Sequence, residues 1–156
     1  MHVHFVFLLV LLLLGAGVHA AQSSERSMRR SAELFLLYLL VGYCGVPMLA
    51  VSIWVLTSPV RAAAGFGFTA EGPLLAFFGW AYLGMSLLAI LSLVYRRTYL
   101  VAPVVVWAVY LGGATLVHLQ ESGGRGLEIF ASHGLVAVLL LAALAASGAW
   151  KQPQKA

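Results

Sequence analysis

The chain has 156 residues, of which 62% are hydrophobic and 9% charged; nine are Lys or Arg, five are Glu, and Asp is absent. So little polar chain excludes a separate soluble domain, and the lack of Asp removes the commonest ligands of hard metals and phosphoryl-transfer sites. A calculated pI of 9.6 does not imply nucleic acid as a partner, because no basic stripe interleaved with aromatics accompanies it; Lys and Arg flank apolar runs instead, as they do beside membrane spans.

The first apolar run, Phe5 to Ala21, closes on Val18-His19-Ala20. Small residues at Val18 and Ala20 fit a signal-peptidase site with cleavage after Ala20, but the leader Met1-His2-Val3-His4 lacks the usual positive charge. Residues 1–21 are therefore a hydrophobic N-terminal segment with three readings. It is a retained anchor and fifth helix, a cleaved signal, or sequence upstream of a start at Met28-Arg29-Arg30. Residues 22–33 read as a basic cytoplasmic linker.

Four charge-free stretches follow: Leu34 to Leu56, Pro73 to Tyr95, Thr98 to Leu119 and Ile129 to Trp150. At roughly 1.5 Å per residue, each crosses the ~30 Å hydrocarbon layer as a helix. A charge at mid-helix would cost about 2.5–3.5 kcal/mol, which explains why every span is free of them. Continuous apolar runs of this length, without short alternation, favour helices over barrel strands. The expected fold is all-α, an integral membrane bundle of four long helices over 34–150 plus the N-terminal segment, with 151–156 as a cytoplasmic tail.

Orientation follows from the flanking charges. One side carries Arg26, Arg29, Arg30, Arg96, Arg97, Lys151 and Lys155, the other only Arg61 and Arg125. The positive-inside rule places the first group and the C-terminus in the cytoplasm of a cell with an inner membrane; a cleaved signal would invert this arrangement.

Within the first long span, Pro47 leaves the Tyr43 carbonyl without its usual donor and favours a kink. Cys44 is the only cysteine, so no intramolecular disulfide exists, and a small packing residue is expected. The connector Thr57 to Gly72 contains Pro59 and Gly65, which delimit a short interfacial helix. Arg96-Arg97 is nearly the whole link between the next two spans and makes them antiparallel neighbours. Tyr95, Tyr99, Trp54 and Trp150 read as interface anchors. Small-residue stripes at Tyr38, Gly42, Gly45 and Ser52, at Gly72, Gly79 and Ser86, at Ala108, Gly112 and Thr115, and at Ala142 and Ala146 are expected to bring helices together.

One constellation stands out as chemistry. His118 ends the third long span and His133 lies about a turn inside the fourth, with Thr115 and Glu128 in the same external layer by topology. Glu71, Gln120, Glu121 and Ser132 share that layer. Two imidazoles from adjacent helices suit a haem or metal, or a quinone headgroup, and polar groups at membrane depth are often functional. The candidate ligand-binding residues are His118, His133, Glu128 and Thr115, with no catalytic residue and no assigned metal. Ser132 and His133 are adjacent, so a helix would point their side chains about 100° apart, and they are not expected to form a nucleophile–base pair by themselves. Neither H-E-x-x-H nor G-x-S-x-G occurs.

The stretch Phe77-Phe78-Gly79-Trp80-Ala81-Tyr82-Leu83-Gly84, the connector ending Gly65-Phe66-Gly67, Leu88 to Leu93 with Arg96-Arg97, and Leu111-Gly112-Gly113-Ala114 before His118 resemble the small DoxX-like membrane proteins and related bacterial families of unknown function. The resemblance covers about Phe35 to Trp150. It implies a four-helix inner-membrane protein, some relatives being linked to quinone-connected sulfur or thiol oxidation, and supplies no catalytic residue.

The first expectation for function is a non-enzymatic accessory subunit of a membrane complex. Its partners would be the lipid bilayer and a membrane protein or a second copy of the chain, with no nucleic acid. The second is a redox-associated subunit binding quinone or haem near His118 and His133, and the third a small-molecule permease. No cofactor is expected under the first reading.

Overall fold

A backbone in lipid has to satisfy its own hydrogen bonds, and twenty-residue apolar runs do so as helices. The computed structural model describes residues 2–24, 27–66, 72–121, 127 and 130–151, and among these it contains helices and turns but no strand. Five helices are long and apolar enough to cross a membrane: His4–Gln22, Met28–Thr57, Leu74–Leu93, Thr98–Gln120 and Phe130–Ser147. The expected four spans plus an N-terminal segment thus become five comparable helices.

Helix α1 covers His2–Gln22 and runs through Ala20 and Ala21 without a break. It lies against the rest of the bundle, burying Leu9 and Ala16. The second rod begins earlier than its apolar run. Ser27 caps α2 (Met28–Leu37) by accepting a hydrogen bond from the Arg30 amide at 3.1 Å. That interaction satisfies one of the orphan donors at a helix start. The rod continues as a π-helical segment, Tyr38–Gly45, and then as α3, Val46–Thr57.

The π segment revises the expectation for Pro47. The Val46 amide bonds the Val41 carbonyl five residues back, and Pro47 falls in the first turn of α3. A missing amide is harmless in a first turn, so a wide turn replaces the hydrogen-bond gap of a Pro-kinked α-helix.

The remaining elements are α4 (Pro59–Phe66), α5 (Gly72–Ile90), α6 (Val101–Glu121) and α7 (Leu135–Ser147), the last preceded by a π turn at Phe130–Gly134. The short helix expected between Pro59 and Gly65 is present as α4. Its Gly65 lies so close to the Trp54 indole that a Cβ there would come within 2.6 Å of the ring. Gly148, with φ of 62°, takes the left-handed conformation that ends α7.

The main core joins Leu36, Leu40 and Tyr43 of the second rod to Trp107 and Leu111 of α6 and to Val136 and Leu140 of α7. Helix α5 packs chiefly along α3. A Cβ at Gly79 would lie 2.8 Å from Leu56, and one at Gly45 would lie 2.9 Å from Ile90. These glycines set the close approach that lipid-embedded helices use in place of a hydrophobic drive. One expected stripe, and the Gly112 position of another, do not act this way. Ala142 and Ala146 are exposed, because α7 turns Val136, Leu140, Leu144 and Ser147 inward, and nothing lies within 4 Å of a Cβ at Gly112.

Helices α5 and α6 are antiparallel neighbours, tied by three hydrogen bonds in register. The Tyr99 hydroxyl donates to the Leu88 carbonyl, the Trp107 indole to the Met85 carbonyl, and the Tyr110 hydroxyl to Tyr82, each at 3.2 Å. Trp107 is almost wholly buried, so its indole N–H requires that carbonyl.

Candidate functional site

The two π-helical segments meet each other. Tyr43, in the first, is buried and donates its hydroxyl to the backbone carbonyl of Ser132 in the second. π turns are rare and concentrate at functional sites, so their coincidence marks this end of the bundle. The link crosses 89 residues of sequence and fixes the second rod to the entry of α7.

Around that link the structure gathers rings from four helical elements. His118 of α6 and His133 of the π turn stand with ring centroids 5.8 Å apart and planes inclined at 57°. Phe5 of α1 lies 6.3 Å from His133 and 5.8 Å from Tyr43, the latter edge-on. Both imidazoles are half-buried. The pair expected from the sequence is therefore assembled, together with Phe5 and Tyr43, which the sequence did not single out for it.

Ser132 and His133 contradict the expectation that these neighbours do not pair. The Ser132 hydroxyl and His133 Nδ1 are 2.7 Å apart. The angle between neighbours does not forbid this contact, because Nδ1 is the ring nitrogen nearest the backbone and the short Ser132 side chain reaches it from the adjacent residue. Ser132 is fully buried, so it is not placed to attack a substrate. Its role is orientation: the hydroxyl holds the His133 ring at Nδ1.

Thr115 sits beneath the pair but spends its hydroxyl on the Leu111 carbonyl of its own helix at 2.7 Å. That back-bond and its burial make it a packing residue. Its methyl also limits Gly134, where a Cβ would come within 3.2 Å of Thr115 and 2.8 Å of Phe130. Glu128, the fourth candidate, lies outside the described residues, as does Glu71. Among the described residues, no three His, Cys, Asp or Glu side chains converge as metal ligands would.

No curated protein and no solved structure matches the chain. A family model described as "Family of unknown function (DUF6790)" matches residues 2–145. The match begins at the first residue of α1 and runs into the last turn of α7. The chain, a bundle of helices long and apolar enough to cross a membrane, belongs to this DUF6790 family.

Proposed function

We propose that the chain is a non-enzymatic membrane subunit in which His118 and His133 hold the headgroup of a quinone-class ligand, a flat ring with hydrogen-bond acceptors on its edge. The observation that carries this reading is the pairing of two imidazoles from separate helices at 5.8 Å, one of them locked by Ser132. A locked ring loses little orientational freedom when it hydrogen-bonds a ligand. Phe5 adds an aromatic wall beside His133. The resemblance of the second long span to DoxX-like proteins, some linked to quinone-connected oxidation, points the same way.

The same reading retains α1 as a fifth span. It sets the Arg96 edge and the C-terminus in the cytoplasm and the histidine pair near the outer face of an inner membrane, a reading supported by the distribution of Arg and Lys.

Titration of the detergent-purified chain with a short-tailed benzoquinone, followed by quenching of tryptophan fluorescence, tests the site. Saturable binding is expected. His118→Ala and His133→Ala should each weaken it about fivefold, the equivalent of roughly 1 kcal/mol for one hydrogen bond. A linear, unsaturable response, or identical affinity in both variants, refutes the site. A Soret band in the purified protein would assign the pair to haem instead.

A further inference from the structure

A second site lies at the opposite edge of the bundle. A cavity of about 430 Å³ opens between α1, the second rod and the end of α5, and its lining includes Leu12, Leu34, Val41, His19, Arg30 and Arg96. The arrangement has a direction. His19 is near the C-terminal end of α1, Arg30 is in the first turn of α2, and Arg96 follows α5, so the polar groups share one membrane edge. Leu12 and Val41 lie deeper: Arg30 to Val41 is eleven residues of helix, roughly 16 Å at 1.5 Å per residue.

The charge at the mouth is cationic. Arg30 contacts Glu33 through one nitrogen at 3.1 Å, which leaves its other N–H groups for a second acceptor. Arg96 is exposed and has no ion-pair partner among the described residues. The His19 ring meets the Tyr38 hydroxyl at 3.3 Å, and both line the cavity.

We infer that this groove binds one anionic phospholipid of the surrounding bilayer, its phosphate between Arg30 and Arg96 and an acyl chain along Leu34, Val41 and Leu12. A guanidinium pair suits a phosphate. A free anion would leave the apolar length of the groove uncovered, so the lipid, and not phosphate alone, is the occupant. This inference does not depend on the histidine site.

Native mass spectrometry of the full chain with phosphatidylglycerol, phosphatidylcholine of the same acyl chains, or soluble glycerol phosphate tests it. One phosphatidylglycerol per chain is expected to survive detergent removal, while phosphatidylcholine and glycerol phosphate do not. Arg96→Gln should reduce retention about tenfold, as expected for loss of a charge-assisted hydrogen bond. Arg29→Gln, exposed and outside the cavity lining, should leave retention unchanged. Equal retention of the two lipids, equal loss in both variants, or full displacement by glycerol phosphate would each overturn the proposal. Circular dichroism of Arg96→Gln confirms that the variant compared is folded.

Discussion

At the histidine end, polar groups are taken up by the protein itself: Tyr43 is bound to the Ser132 carbonyl, Ser132 to His133, and Thr115 to Leu111. At the arginine end, Arg96 and His19 lie exposed around an open cavity whose walls are leucine and valine. Burial accounts for the contrast. A buried hydroxyl has no water to turn to, and at this end the chain supplies each partner. At the headgroup layer a cation can remain open because water and lipid phosphates solvate it.

The largest expected difference between the ends comes from their glycines. Gly134→Leu would force a side chain into Phe130 and Thr115 and should destabilise the bundle by about 1–3 kcal/mol, the usual cost of overpacking. Thermal unfolding in detergent would show it as a lower midpoint; an unchanged midpoint would mean that the histidine end is as loose as the groove. A smaller effect is expected of Tyr43→Phe. It removes one buried hydrogen bond, and such bonds in membranes average about 0.6 kcal/mol with a maximum near 1.7. The same unfolding assay measures that loss, and quinone affinity should fall with it because the π turn carrying His133 loses its tether.

The smallest effect belongs to the groove. At Gly42 the three atoms nearest a Cβ would be the methyls and Cγ of Leu12, the closest at 2.5 Å, and that side chain lines the cavity. Replacing Gly by Ala in a helix returns up to about 1 kcal/mol. Gly42→Ala should therefore change stability by less than roughly 0.5 kcal/mol while narrowing the cavity, so lipid retention drops without a matching fall in unfolding midpoint. A large loss of stability would show that α1 is packed as tightly here as at the other end.

Much of this was legible in the residues. Charge-free runs located the spans, Pro59 and Gly65 located α4, the brevity of Arg96-Arg97 paired α5 with α6, and topology put His118 and His133 in one layer. The π turns were not legible. Nothing in Tyr38–Gly45 or Phe130–Gly134 announces a five-residue hydrogen-bond register. Ala142 and Ala146 were misassigned to an interface for a related reason. When every face of a helix is apolar, no polar stripe tells which side meets lipid. Trp107, Tyr82 and Tyr110 went unmarked because their partners are a carbonyl and a hydroxyl on another helix. Phe5 was hidden inside a run that also fits a signal peptide.

The central claim is that the chain crosses the membrane with the histidine pair and the arginine groove on opposite sides. Cysteine labelling tests it directly, since Cys44 is the single thiol and is buried. In a Cys44→Ser background, Leu127→Cys reports the histidine side and Ser24→Cys the arginine side, both positions being exposed. A membrane-impermeant maleimide should label Leu127→Cys in intact cells and Ser24→Cys only after permeabilisation. The reverse pattern, or labelling of both from outside, would contradict the account.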